Sequence, residues 1–172
     1  MQHFLRHARA CLAAALVLNI LLGLFGALPA RAADEDGYDL WLRYRPLPTA
    51  QRSALQAAAS GIAAPDDTPT VRAAAAELRR GIAGMLGRAP EAIPAVSPMQ
   101  PRAGTIVLVR ASALANPGGL ADADALRREL TPLGAEGYLV RRARIKGAPV
   151  TLVAANTDMG LLYGTFAWLR QV

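Results

Sequence analysis

The stretch GYLVRRARIKGAPVTLVAANTD, Gly137–Asp158, decides the fold. From Gly137 to Lys146 a period of two puts Arg142, Arg144 and Lys146 on one side and Leu139, Ala143 and Ile145 on the other, which predicts a strand with one apolar face. Arg141 falls on the apolar side. An arginine there calls for a carboxylate that joins two elements, with ligand contact as the alternative. Val150 to Ala155 reads as a second strand, and the intervening Gly147, Ala148 and Pro149 predict a hairpin. Asn156 or Thr157 then caps a final helix, with Asp158 in its first turn where a carboxylate suits the helix dipole.

Working outward, Thr105 to Val109 is a short continuous apolar run, the pattern of a strand buried on both faces. Asn116 to Gly119 reads as a turn and Asp122 to Leu130 as a short helix. Upstream, Thr70 is expected to cap a helix whose Val71, Ala75, Leu78, Ile82 and Met85 share one stripe, with Arg72, Glu77, Arg79 and Arg80 mostly off it and Gly87 as its stop. Residues 89–103 contain four prolines and read as a connector. Thr49 to Ser60 is alanine-rich and helical, and Tyr38 to Tyr44 alternates as a strand that Pro46 and Pro48 close. The fold class is therefore α/β, a mixed β-sheet with helices packed on it.

The final helix carries two apolar stripes. Met159, Leu162, Tyr163, Phe166 and Leu169 share one face, Leu161, Thr165, Trp168 and Val172 the opposite one, and Gly160, Gly164, Ala167 and Gln171 form a small-residue flank between them. One stripe suffices to dock on a sheet, so Leu161 and Trp168 are the candidate domain-interface residues, expected to face a partner outside the domain. The alternative is that the helix beginning near Thr70 covers them.

Composition narrows the chemistry. Of 172 residues, the two histidines (His3, His7) and the single cysteine (Cys11) all fall in the first eleven. Met1 to Arg9 is basic, Ala10 to Leu28 is apolar apart from Asn19, and Ala30, Arg31 and Ala32 form a small-x-small cleavage pattern. Residues 1–32 are thus expected to be a signal peptide, with an uncleaved membrane anchor as the rival, and residues 33–172 to be a single exported domain in the periplasm or the medium. That domain contains neither histidine nor cysteine, which excludes Ser-His-Asp and Cys-His nucleophiles, His/Cys zinc sites, haem and disulfides. The formal charge of +6 includes Arg6, Arg9 and Arg31 of the leader; without them sixteen basic residues face thirteen acidic ones. The arginines are scattered and aromatic residues few, so nucleic acid is not an expected partner.

The remaining candidates have plain structural readings. Asp34, Glu35, Asp36 and Asp39 lack the spaced ligands and glycine of a calcium loop and read as a solvated start. Gly118–Gly119 lacks a phosphate-loop pattern, and Arg142, Arg144 and Lys146 read as a solvated strand face that could alternatively touch an acidic polymer. No carboxylate pair suited to acid–base work is visible, so no catalytic, cofactor or metal residue is assigned.

Two stretches are more specific. Glu35–Tyr44 (EDGYDLWLRY) resembles the opening of the α-glucuronidases of glycoside hydrolase family 67. Gly137–Arg142 (GYLVRR), followed by Ala154–Gly164 (AANTDMGLLYG), resembles the end of the same family's N-terminal domain, with Leu78–Ile82 and Gly104–Leu108 in the right order between them. The resemblance spans nearly all of residues 35–172. It implies a domain like that ahead of the barrel in β-hexosaminidases, then a (β/α)₈ barrel and a helical C-terminal domain. The family removes glucuronic acid or its 4-O-methyl ether from xylan-derived oligosaccharides with inversion, using barrel carboxylates. The sequence stops at Val172, before any barrel strand. The expectation is a non-catalytic domain whose partner is that barrel and which meets acidic xylo-oligosaccharides only through it. A free-standing carbohydrate-binding or interaction module is the alternative, and a membrane is a partner only if the leader stays uncleaved.

Overall fold

A computed structural model describes residues 44–65, 68–89, 91, 93–97, 100–115 and 119–172. The chain divides into Met1–Trp41, outside these residues, and Leu42–Val172, which holds all of them. The leader, the acidic start, Gly118 and the strand expected over Tyr38–Tyr44 lie outside the described residues, apart from Tyr44, which is in irregular backbone.

The elements are α1 (Thr49–Ala58), β1 (Gly61–Ala63), α2 (Pro69–Leu86), β2 (Thr105–Arg110), α3 (Ala123–Leu130), β3 (Tyr138–Ile145), β4 (Ala148–Ala155) and α4 (Asp158–Leu169), with short 3₁₀ turns at Ala111–Ala115 and Thr131–Leu133. The sheet order is β1-β2-β4-β3. β1, β2 and β4 run parallel, and β3 pairs antiparallel with β4. The fold is the mixed α/β arrangement expected from sequence.

Alternation along the strands divides the interior in two. Ile62, Ile106, Leu108, Val153 and Ala155 face one side and meet α2 and α4, while Val107, Val150, Leu152, Ala154 and Ile145 face the other and meet α3. The five residues of the α2 stripe are all buried. Thr68, two residues before the expected Thr70, caps this helix: its hydroxyl accepts from the Val71 amide at 3.3 Å. Pro69 then occupies the first helical position, where it needs no donor. Gly87 ends the helix in the left-handed region, φ 66°.

Three further expectations change. The hairpin turn is Lys146–Gly147, with φ of 49° and 84°, the two-residue form in which both positions are left-handed. Ala148 and Pro149 belong to β4 because pairing with β2 begins only at Val150, so the missing proline N–H breaks no ladder. β1 was not expected at all. Three residues are too few to alternate, and they become a strand by lying beside β2, with Pro94–Val96 on the outer edge: the Ile62 amide donates to the Pro94 carbonyl and the Val96 amide to that of Ile62. Glu77 is buried, not off the stripe, and accepts from the Tyr44 hydroxyl at 2.7 Å.

The largest correction concerns α4. Leu161 is 0% and Trp168 7% exposed, so neither faces outward. They join Leu78, Ile82 and Leu86 of α2 in one core, as the alternative reading had it. Gly160 and Gly164 turn to the sheet: an added methyl group at Gly164 would lie 2.6 Å from Val153 Cγ1, and one at Gly160 2.8 Å from Ala155 Cβ. The small flank lets the helix seat deeply on β3 and β4, and that depth brings the Leu161–Trp168 stripe against α2. The opposite stripe is left to solvent, with Met159 43% and Tyr163 39% exposed.

Candidate functional site

In open parallel sheets, functional groups collect beyond the carboxyl ends of the strands. That edge here is built by the Asn156–Thr157–Asp158 turn after β4. Asn156 Nδ2 donates to the Leu130 and Gly134 carbonyls at 2.7 and 2.9 Å, tying down the end of α3 and the loop after it. The Thr157 hydroxyl donates to the Ala135 carbonyl and accepts from the Gly160 amide at 3.2 Å, capping α4. The Asp158 carboxylate accepts from the Thr68 hydroxyl at 2.8 Å and pairs with the Arg110 guanidinium at the end of β2. Three consecutive side chains thus fasten four chain segments. The sequence places Thr157 and Asp158 at a helix start; their tertiary partners were missed, because nothing local signals a bond between Thr68 and Asp158 across 90 residues.

The other carboxylates do not assemble into a reaction site. Glu129 on α3 accepts from Arg141 on β3 at 3.1 and 3.2 Å, so Arg141 is half-buried and holds two elements together, as its place on the apolar face implied. Asp124 pairs with Arg127 within α3, and Glu91, Asp122 and Glu136 are exposed. Among the described residues no group of three histidine, cysteine or acidic side chains could hold a metal ion.

The basic strip separates. Arg144 Nη1 donates to the Gly147 carbonyl at 2.9 Å, and Lys146 leaves the strand for the turn, where it packs over Gly119. Arg142 stays in the open. It borders a groove of about 560 Å³ between α1, β3 and the end of α4, with Leu47, Gln51, Thr151 and Trp168 among its walls. A smaller groove of about 350 Å³, bounded by α1, Gly104 and Pro149, shares Arg142 and Thr151. No carboxylate lines either groove. This arrangement can hold an anion loosely beside Arg142, but it cannot supply the acid and base of glycoside hydrolysis.

The described fold is spanned almost end to end by one family model, the N-terminus of glycosyl hydrolase family 67, which matches residues 40–168. The chain belongs to glycosyl hydrolase family 67. What it contains is the N-terminal domain of an α-glucuronidase, and a domain of this kind has a catalytic domain as its partner in the full enzyme. No curated protein matches the chain. Family membership also gives the AANTDMGLLYG stretch a physical meaning: its Asn, Thr and Asp are the three fastening side chains, and its two glycines are the points where α4 meets the sheet.

Proposed function

We propose that the chain is the non-catalytic N-terminal domain of an exported, xylan-degrading α-glucuronidase. The family match over residues 40–168 carries the reading. Inverting hydrolysis needs two carboxyl groups facing each other across a sugar, about 6.5–9.5 Å apart with room for a water. Asp158 and Glu129 are instead committed to arginines of the domain, and Glu77 accepts from Tyr44 in the interior. The acid and base would belong to the catalytic domain, acting on glucuronic acid or its 4-O-methyl ether carried by xylo-oligosaccharides. Export to the periplasm or the medium is supported by the basic start, apolar run and Ala30–Ala32 pattern of residues 1–32.

The purified chain, incubated with aldouronic oligosaccharides, is expected to release no free glucuronic acid. Release abolished by a single Asp or Glu substitution would overturn the non-catalytic reading. Reading the coding DNA past codon 172 tests the enzyme context, with catalytic-domain sequence there supporting it. The Arg142 groove favours a second reading, a free-standing carbohydrate-binding module. On that reading titration calorimetry gives glucuronoxylan oligosaccharide binding that Arg142→Ala removes; on ours it gives no measurable heat.

A further inference from the structure

The outward side of α4 is unlike that of the other described helices. α2 presents Arg72 and Arg80 to solvent, and α3 presents Arg127, Arg128 and Glu129. On α4, no residue between Asp158 and Arg170 is charged. Met159, Tyr163 and Phe166, spaced by four and three, form one stripe in which the first two are exposed and the third is half-buried. Single apolar side chains on a surface need no explanation, but an uncharged strip along a whole helix marks a contact surface.

We infer that this Met159–Tyr163–Phe166 face of α4 is where the catalytic domain of the same enzyme seats. The inference rests on reading the chain as the N-terminal domain of an α-glucuronidase. The family match ends at residue 168, in the last turn of α4, so the remainder of a full family enzyme follows directly from this helix. A domain tethered within a few residues of the strip is held at an effective concentration on the order of millimolar, so a narrow apolar contact suffices where a diffusing partner needs about 1,200–2,000 Å². The side chains suit the task. Methionine adapts its shape to a neighbour, and tyrosine offers a rigid apolar ring with a polar tip. The partner is accordingly an apolar patch on the catalytic domain.

The test mixes the chain with the catalytic region of a family 67 α-glucuronidase prepared without its own N-terminal domain, its fold checked by circular dichroism. Hydroxyl-radical footprinting is expected to show roughly threefold lower oxidation of Met159 and Tyr163 on mixing, with exposed Leu133 unchanged. Sedimentation is expected to show binding that the double variant Met159→Glu/Tyr163→Glu weakens by at least about tenfold while keeping the wild-type circular dichroism spectrum. Equal binding by the variant, or protection of Leu133 instead, overturns the proposed face and leaves the domain reading intact. Absence of any binding also overturns it, while the domain reading is decided separately by the downstream coding sequence. Self-association of the chain alone that the double variant abolishes would assign the strip to a second copy, and would overturn the inference too.

Discussion

At Gly164 the distance to Val153 Cγ1 sets how far α4 descends onto the sheet. Gly164→Ala is expected to cost about 1–3 kcal/mol, because neither the packed helix nor the strand can retreat freely, and urea unfolding measures it. One helical position along, Thr165 is buried and its hydroxyl makes no hydrogen bond. Thr165→Val keeps the shape and removes the desolvated oxygen, so it is expected to raise stability by about 1 kcal/mol in the same assay. Asp158→Ala acts oppositely. It strips the Arg110 guanidinium and the Thr68 hydroxyl of a charged acceptor, for an expected loss of about 2–3 kcal/mol. Together the three variants ask whether the glycines and the aspartate of one motif act as packing and fastening residues.

Among the elements, the hairpin is the most local, and its turn is suboptimal. Lys146 occupies a left-handed position that asparagine tolerates far better beside Gly147. Lys146→Asn is expected to stabilise the domain by about 0.5–1 kcal/mol, read as a higher urea midpoint at unchanged slope. The hairpin strands, β2 and the α2 stripe were legible in the sequence because each declares itself through a period or an apolar run within ten to eighteen residues. β1 was not, since Gly61–Ala63 owes its strand geometry to β2 on one side and Pro94–Val96 on the other. α4 was half legible. Both stripes and the glycine flank could be read from the spacing, but with no polar side to mark the solvent, the sequence did not say which stripe turned inward. The bond that makes Glu77 acceptable in the interior comes from Tyr44, 33 residues away.

For the molecule as a whole, the two cores share one sheet, so neither is expected to melt alone. In a Trp41→Phe variant, where Trp168 is the remaining tryptophan, its fluorescence and far-ultraviolet circular dichroism should report coincident urea transitions. Separate midpoints would show that the α3 side unfolds independently. The sequence held the family in its two end motifs, whereas the fastening cluster around Asp158 exists only after strands distant in sequence are brought side by side. The strand order has a further result, which concerns synthesis. β4, the strand joining β2 to β3, and α4, the lid of the first core, are made last. While the ribosome is still short of residue 148, β2 has only the three-residue β1 as a partner, and Ile106, Leu108 and Leu78 have nothing on the α4 side to cover them. The nascent chain is therefore expected to remain open and open to chaperones until almost its whole length has emerged, and then to close in one step around its final twenty-five residues.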